Sequence, residues 1–456
     1  MNSNTWTTAV RTAAVGTLVA ASGSAHASGF ALLEQSASRL GTAFAGTGVA
    51  ADDATTIFFN PAGLMRLGEA QVVVVPSFIG INTEFRNRDS LPALGQPLGN
   101  EGGDAGDWNF VPSAYASLPI GERLAIGIGV NAPFGLKTEY DENWIGRFQA
   151  IKSEIKTINI NPTIAYRINN AFSIGVGVSY QQLDAELTNA VNYTGVIAQA
   201  VGGDPLIVGA NLGLEGRARV EGDDDGWGFN IGLLFEPSET TSIGLAYRSS
   251  IEYKVRGTAE FSPPTAIDPT GAFIVAQVSG PNGPLASGPA SVDLEVPDSA
   301  TLSVRQRIGD KFELLADVAW TGWSSVQELR IVRPSGATLS VTPEHWDDTW
   351  RFAIGGTYTV TPALKLRAGI AYDQTPVPDA TRTPRLPDPD RTWLAIGAHW
   401  QATDAIRLDF GYAHLFSDDV PLNENAGNTN ASGFLIGRQE SSVDIVSLQV
   451  TLAFGG

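Results

Sequence analysis

From about residue 70 to the end of the chain, apolar residues alternate with small or polar ones. Three stretches show the pattern clearly, namely RLAIGIGVN at 123–131, AFSIGVGVSY at 171–180 and VSLQVTLAF at 446–454. A period of two is that of a β-strand, whose successive side chains point to opposite faces of the sheet. The pattern therefore predicts a long series of strands with one apolar face each.

Two details favour a membrane barrel over a soluble sandwich. The second face of these strands carries mostly Gly, Ala, Ser and Asn, where a water-exposed exterior would carry Lys and Glu. Aromatic residues also gather near predicted strand ends, where interfacial girdles of such barrels lie. These are Tyr166, Tyr180, Trp320, Trp323, Trp393, Trp400 and Tyr412.

Pairing the apolar stretches predicts an all-β fold, a transmembrane antiparallel β-barrel of about fourteen strands. We place the strands at 70–87, 107–120, 122–139, 145–168, 171–190, 216–236, 240–261, 290–308, 311–333, 344–360, 363–375, 389–402, 404–417 and 438–454. Short and long connections alternate, as short periplasmic turns and longer outer loops do in outer-membrane barrels. An even strand number puts both barrel ends on the periplasmic side.

The first 27 residues have the pattern of a cleaved secretory signal peptide. Arg11 precedes the apolar run Thr12–Ala21, and Ala25–Ala27 forms a small-x-small cleavage site, so the mature chain is expected to begin at Ser28. The alternative, a membrane anchor, would need roughly 20 apolar residues. Export together with the predicted barrel indicates the bacterial outer membrane.

Residues 28–69 are too irregular for a membrane strand and are predicted to form a hatch inside the barrel, which spans 70–456. The hatch carries many large apolar residues, namely Leu32, Leu33, Phe44, Ile57, Phe58, Phe59 and Leu64. A water-filled porin normally keeps its lumen polar. These side chains therefore either line a pocket for an apolar ligand or anchor the hatch to the wall.

Composition narrows the chemistry. The chain has no cysteine, which excludes disulfides and thiol nucleophiles, and its formal net charge of −19 argues against nucleic acid as a partner. Hydrophobic residues make up 43% of the chain, yet no run of about 18 follows the signal peptide. If the chain spans a membrane, only a closed sheet can then pair all backbone N–H and C=O groups in lipid.

Catalysis is not expected, nor is a cofactor or a metal site. His345, His399 and His414 lie on separate segments, and the chain has neither a GxSxG nor an HExxH motif. A barrel hydrolase assembling Ser and His from neighbouring strands is the alternative. The run Asp223–Asp225 could bind calcium but lacks EF-hand spacing, which favours a solvated strand end.

Two proline-containing stretches predict interruptions. Asn60, Pro61, Ala62 and Gly63 follow the hatch aromatics, and the third strand is interrupted at a stretch that reads Asn131, Ala132, Pro133, Phe134 and Gly135. Proline cannot donate to a ladder, so a break there would leave either a bulge or a gap in the barrel wall.

Several motifs together resemble the FadL family of outer-membrane transporters for hydrophobic compounds. They are Ser28–Phe30, Gly41–Gly46, Ala51–Ala54, Asn60–Ala62, Gly135–Tyr140, Thr157–Tyr180 and Asp373–Gly397. The resemblance extends from Ser28 to the C-terminus. It implies a hatched fourteen-stranded barrel that takes up long-chain fatty acids or similar molecules by diffusion. It also implies that Asn60, Pro61 and Ala62 lie against the strand-three kink, which opens the wall sideways.

The resemblance further implies a monomer in contact with lipid and lipopolysaccharide, inserted by the barrel assembly machinery. A ligand carboxylate would need an inward cation, for which Arg147, Arg248, Arg351 and Arg367 are candidates by strand phase. Two alternatives to passive transport of hydrophobic compounds stay open. One is a general diffusion porin, and the other is a receptor or adhesin that acts through the loops at 191–215, 262–289 and 418–437.

Overall fold

The computed structural model describes residues 29–424 and 431–454, so the predicted signal peptide and its cleavage site lie outside the described residues. Twenty strand segments form a single antiparallel sheet. They are β1 (Ala70–Asn87), β2 (Trp108–Ile120), β3 (Leu124–Asn131), β4 (Gly135–Glu139), β5 (Lys152–Arg167), β6 (Phe172–Asn192), β7 (Glu215–Phe235), β8 (Thr241–Arg248), β9 (Ile251–Ser262), β10 (Gly288–Val296), β11 (Ser299–Ile308), β12 (Phe312–Thr321), β13 (Glu328–Val332), β14 (Thr338–Pro343), β15 (Thr349–Thr361), β16 (Leu364–Asp373), β17 (Arg391–Gln401), β18 (Ile406–Ser417), β19 (Val420–Glu424) and β20 (Leu435–Phe454).

The sheet closes on itself. The first strand pairs with the last, from Ala70 opposite Phe454 to Asn87 opposite Gly437. Six barrel strands consist of two consecutive segments each, which are β3 with β4, β8 with β9, β10 with β11, β12 with β13, β14 with β15, and β18 with β19. Counting these pairs as single strands gives a closed antiparallel barrel of fourteen strands, as predicted.

The interruptions differ from the predicted continuous strands. Pro297 separates β10 from β11, and the buried Trp323 turns inward between β12 and β13. The fourth strand starts at Lys152 and not at residue 145, because Trp144 closes a turn by donating to the Ala150 carbonyl at 2.7 Å. Alternation alone did not reveal these local turns.

Residues that alternate along each strand point in turn to the outside and to the inside of the barrel. Ile126, Ile128 and Val130 of β3 point outward with exposed fractions of 38%, 45% and 43%. The neighbouring Ala125 points inward and is buried. The apolar face therefore covers the outside of the barrel, where lipid would meet it.

Short helices occur in two places. Residues 29–69, here called the hatch, contain α1 (Ala37–Leu40), α2 (Thr56–Phe59) and a 3-10 turn at Pro61–Arg66. The long loops contain α3 (Tyr193–Ala200), α4 (Pro205–Ala210) and α5 (Pro269–Ser279). Within the described residues, no helix is long and apolar enough to span a membrane. We call the barrel end with the long loops the loop end and the opposite one the turn end.

Candidate functional site: a gap in the barrel wall

Buried polar contacts hold the middle of the hatch against the wall. The Asp317 carboxylate of β12 accepts the backbone N–H groups of Gly46 at 2.7 Å and Thr47 at 3.0 Å. Arg39 pairs with Asp52 within the hatch at 2.6 Å. These bonds satisfy backbone donors that would otherwise be buried without partners. The middle of the hatch is thus tied to the barrel.

The Asn60–Ala62 motif lies against the sixth strand. The Asn60 amide donates to the carbonyls of Gly48 at 2.7 Å and Leu233 at 3.0 Å, and its oxygen accepts the N–H of Ala62 at 3.0 Å. A Cβ at Gly232 would stand 1.9 Å from the Asn60 side-chain oxygen, so only glycine allows this approach. The bond to Leu233 joins Asn60 to β7, and the contact of the motif with the strand-three break, which the family resemblance implies, stays a prediction.

The break itself leaves a gap in the wall. Strand β3 ends at Asn131, β4 starts at Gly135, and β4 pairs with β5 alone within the described residues. On the other side, β2 pairs with β3 only from Ala114 to Ile120, which leaves Trp108–Ser113 without a ladder on that edge. At ~3.4 Å per residue the unpaired edge is about 20 Å long.

Two prolines account for the missing ladder. Pro112 lies in the unpaired edge of β2, and Pro133 lies in the break of strand three, so neither offers an N–H to the other. Toward the loop end, contact between the two edges resumes where Lys137 meets Asp107 at 3.0 Å and Glu139 donates to the Ala105 carbonyl at 2.9 Å. The gap is therefore closed at both ends and open between them.

The start of the hatch covers the gap from inside. Leu32 donates to the Pro133 carbonyl at 2.8 Å, and Gly135 donates to the Phe30 carbonyl at 2.9 Å. Gln35 bridges both edges, because its amide donates to the Ala132 carbonyl at 2.8 Å while its oxygen accepts from the Ser113 hydroxyl at 2.6 Å. Residues 29–35, here called the hatch start, substitute for the missing strand contacts.

Aromatic packing holds the hatch start in place. The Phe30 ring is 4% exposed and lies 4.9 Å from Trp323, 5.8 Å from Phe134 and 5.9 Å from Trp346 between ring centroids. The N–H of Gly29 is bound at 2.8 Å by Asp388, a residue of the loop 374–390. The hatch start is thus held by the buried Phe30 ring and by hydrogen bonds to strand three, β2 and the loop 374–390.

A cavity of about 700 Å³ lies between the hatch start, the gap and the loop 374–390. Its lining is mostly apolar and includes Leu32, Leu33, Ile79, Ile81, Phe110, Val111, Ala132, Phe134, Leu136, Leu386 and Trp393. Glu34 also lines it, and burial raises the pKa of this carboxyl to about 7. At the gap, Trp108 and Phe110 are 60% and 58% exposed on the outer face. The cavity thus reaches the apolar outside of the barrel.

A smaller cavity of about 130 Å³ lies deeper, behind the break. Seven of the nine predicted pocket residues line it, namely Leu32, Leu33, Phe44, Phe58, Phe59, Arg248 and Arg351. Arg248 lies 4.5 Å over the Phe58 ring and donates to the Phe58 carbonyl at 2.9 Å. Arg351 donates to the Ala43 carbonyl at 2.6 Å. Both cations thus also hold the hatch.

The other two candidate cations lie elsewhere. Arg147 is in the loop after β4, where it pairs with Glu215 at 2.6 Å. Arg367 pairs with Asp409 at 2.5 Å and lies 3.7 Å from Asp52 of the hatch. Neither lines the cavities at the gap. The alternation of residues along the strand predicted that Arg367 points into the barrel. It could not predict that the Asp409 carboxylate already pairs with this arginine.

Some residues of the site escaped the sequence analysis. Pro112 was a usable signal, since a proline in a strand marks a missing ladder bond. Gln35, Phe30 and Trp108 gave no comparable signal, because their roles depend on contacts between segments far apart in the chain.

The acidic run and two of the histidines that the sequence analysis considered contact other residues of the barrel. Asp223–Asp225 lie within β7 and not at a strand end, and Asp224 accepts the N–H of Lys254 at 2.6 Å. His399 and His414 each contact an aspartate, Asp409 at 3.0 Å and Asp444 at 2.8 Å.

A closed fourteen-stranded barrel with an apolar outside and an occupied lumen defines an outer-membrane β-barrel protein. Residues 18–454 match the family described as outer membrane protein transport protein (OMPP1/FadL/TodX), and the chain belongs to this family. The family comprises outer-membrane transporters of fatty acids or hydrophobic aromatic compounds.

Several relatives span nearly the whole chain. A long-chain fatty acid transport protein of Escherichia coli O6:H1 is 30% identical over 410 residues, covering 88% of this chain and 90% of the relative. A 47 kDa outer membrane protein of Pasteurella multocida is 32% identical, covering 87% and 89%. The crystal structure of a Pseudomonas aeruginosa FadL homologue aligns with a TM-score of 0.84 and 27% identity, covering 94% and 100%. The toluene transporter TodX of P. putida, with a TM-score of 0.65 and 16% identity, shares the fold.

Proposed function

We propose that this protein carries long apolar molecules, fatty acids or related lipophiles, across the outer membrane and releases them sideways through the gap in strand three. One observation carries the proposal. The apolar cavity of about 700 Å³ borders the gap, and the hatch start binds both edges of the gap from inside. A ligand in this cavity therefore meets no ladder of strand hydrogen bonds on its way to the bilayer, and residues 29–35 lie on the inner side of the gap.

Passive movement fits this arrangement. Each CH₂ group transferred from water to an apolar site gains about 0.8 kcal/mol, so the apolar lining supplies the attraction. Transfer from one apolar cavity to the next, and from the cavity to lipid, changes this free energy little. The ligand can therefore follow its concentration gradient, and lateral release keeps its chain out of water.

The hatch start is the proposed gate. Its displacement would break the contacts of Phe30, Leu32 and Gln35 at the break while the bonds from Asp317 and Leu233 keep the rest of the hatch seated. A gate of seven residues needs much less reorganisation than expulsion of the whole hatch.

Uptake by intact cells that lack their own transporter tests the function. Cells producing the full chain are offered radiolabelled palmitate, hexadecane and toluene. Saturable uptake of at least one compound is expected, and its absence for all three would refute the proposal. Liposomes containing the protein separate it from a general porin, since a plugged apolar route predicts no swelling in small sugars.

A further inference from the structure

The cavity at the gap contains buried polar atoms that lack a partner within the described part of the protein. Glu34 of the hatch start is 5% exposed, and its Oε2 atom makes no hydrogen bond to any described residue. The indole N–H of Trp393 and the hydroxyl of Ser417 are buried and unpaired in the same sense. All three side chains line the cavity of about 700 Å³. Because buried polar groups of native proteins are normally paired, these atoms point to a ligand.

The three groups belong to neighbouring parts of the wall and the hatch. Ser417 of β18 is paired in the sheet with Arg391 of β17, and Trp393 lies two residues farther along β17. The charge of Arg391 acts on the Glu34 carboxyl, whose backbone carbonyl accepts the Ser77 hydroxyl of β1 at 3.0 Å. The hatch start therefore brings a carboxyl close to an indole donor and a hydroxyl.

Charges around the cavity disfavour an anionic head group. Within the described residues, each of the three cations of the lining already has a carboxylate partner. These pairs are Lys137 with Asp107 at 3.0 Å, Lys156 with Glu154 at 2.7 Å, and Arg391 with Asp388. An anion would thus meet the Glu34 carboxyl without a free cation to balance its charge, so the cavity favours an uncharged head group.

A hydroxyl group is an uncharged head group that matches all three unpaired groups. It donates one hydrogen bond and accepts up to two. Burial raises the pKa of Glu34 to about 7, so this carboxyl occurs in both forms near neutral pH. A hydroxyl can donate to the ionised form and accept from the protonated one, and it can also accept from the Trp393 indole. A hydrocarbon would leave all of these groups unpaired.

We propose that the gap cavity binds the hydroxyl group of a neutral amphiphile, such as a long-chain alcohol, at Glu34, Trp393 and Ser417, so that it favours hydroxylated lipophiles over hydrocarbons of equal length. This inference rests on the proposed function and adds a substrate class to it. The apolar part of the lining, which includes Ile79 and Phe110, takes the alkyl chain. A volume of about 700 Å³ lies in the range usual for small-molecule pockets.

Binding to the purified full chain in detergent tests the inference, with 1-hexadecanol and hexadecane as ligands that differ in one hydroxyl group. Each affinity is corrected for partition of the ligand into detergent micelles. Glu34→Met removes the carboxyl and keeps an unbranched side chain, and we expect it to weaken 1-hexadecanol binding about 10-fold. Hexadecane should bind as well or better, because a buried polar group is replaced by an apolar one. Glu34→Gln keeps an acceptor oxygen and should bind 1-hexadecanol within about threefold of the wild type.

Two serines of the same cavity form a matched pair of variants. Ser417→Ala removes the unpaired hydroxyl, whereas Ser441→Ala removes one that is already bonded to the Thr83 hydroxyl at 2.8 Å. We expect Ser417→Ala to weaken 1-hexadecanol binding about threefold relative to hexadecane. Ser441→Ala should change the affinities for both ligands by the same factor. Heat-dependent migration on gels verifies the folded barrel of each variant, and the serine pair decides if Glu34→Met does not fold.

Two outcomes would overturn the inference. Glu34→Met could leave the ratio of the two affinities unchanged, or the two serine variants could shift this ratio equally. If the wild-type chain binds neither these ligands nor palmitate, the proposed function fails as well. Binding of both ligands with an unchanged ratio in Glu34→Met and Ser417→Ala removes only the selection for a hydroxyl group.

Discussion

A covalent link between the hatch start and strand three should stop transport. Ala31 and Phe134 face each other across an isolated antiparallel bridge, flanked by the bonds from Leu32 to Pro133 and from Gly135 to Phe30. Such a flanked pair is the non-hydrogen-bonded type, with Cα atoms ~4.5 Å apart, within the range that a disulfide spans. Because the chain has no cysteine, Ala31→Cys with Phe134→Cys introduces a single possible disulfide.

The size of the effect follows from what opening breaks. Release of the hatch start breaks seven hydrogen bonds to the barrel, each worth about 1 kcal/mol. Gly29, Leu32, Gln35 and Gly135 donate four of them, and the hydroxyls of Ser77, Ser113 and Tyr115 donate the other three to Glu34 and Gln35. Exposing the Phe30 ring costs about 2 kcal/mol more. The sum of about 9 kcal/mol puts the open state at about one molecule in 10⁶ to 10⁷ without ligand, a population that ligand binding can raise. The disulfide removes this state altogether.

The assay is oleate uptake by intact cells producing the double-cysteine chain, before and after reduction. Uptake should fall to background when the link is formed and return with reducing agent. The two single-cysteine chains control for the lost Phe134 packing and for the reagents. Unchanged uptake by quantitatively cross-linked protein would refute the gate, because residues 30–35 could then not have moved away from the break.

Two further predictions concern the seat of the hatch and its pH dependence. Gly232→Ala would push a methyl group into the Asn60 side chain, so the barrel should lose about 1–3 kcal/mol of stability, measured as a lower midpoint of heat-dependent gel migration. Gly68→Ala is the matched control, because nothing lies within 4 Å of the added methyl group there, and it is expected to shift the midpoint much less. Burial raises the pKa of Glu34 from its usual 4.5 to about 7, so the folded state favours the protonated form. Stability therefore falls as pH rises from about 4.5 to about 7, by at most about 1.4 kcal/mol per pH unit, and levels off above that range. Glu34→Gln should abolish this slope, and an equal slope in the variant would show that another group titrates.

Most of the barrel could be predicted from the sequence, because every strand of a closed sheet alternates between an outward and an inward side chain. The outward apolar face of β3 and β18 alternates at each position, so strand number and order follow from counting. The inward turn at Trp323 and the loop that closes on Trp144 interrupt this rule, since a single packed side chain decides them.

The candidate site was predictable only in part. Pro133 marked the break, because a missing N–H is a local property of the chain. Asn60 binds the Leu233 carbonyl of β7, and Arg367 pairs with Asp409. In both cases the partner lies more than 40 positions away in the chain, and no local sequence pattern encodes such a contact.

The most direct test of lateral release is oleate uptake by cells producing Ala132→Arg. Ala132 lies in the break and lines the main cavity, so a long charged side chain there would obstruct the gap without touching the buried bonds of the hatch middle. Ala363→Arg, in the short turn between β15 and β16, controls for an added arginine.

At equal amounts of folded barrel, we predict that Ala132→Arg lowers uptake to background while Ala363→Arg transports like the wild type. Normal uptake by Ala132→Arg would contradict lateral release and would mean that the ligand leaves along the barrel axis, past the hatch.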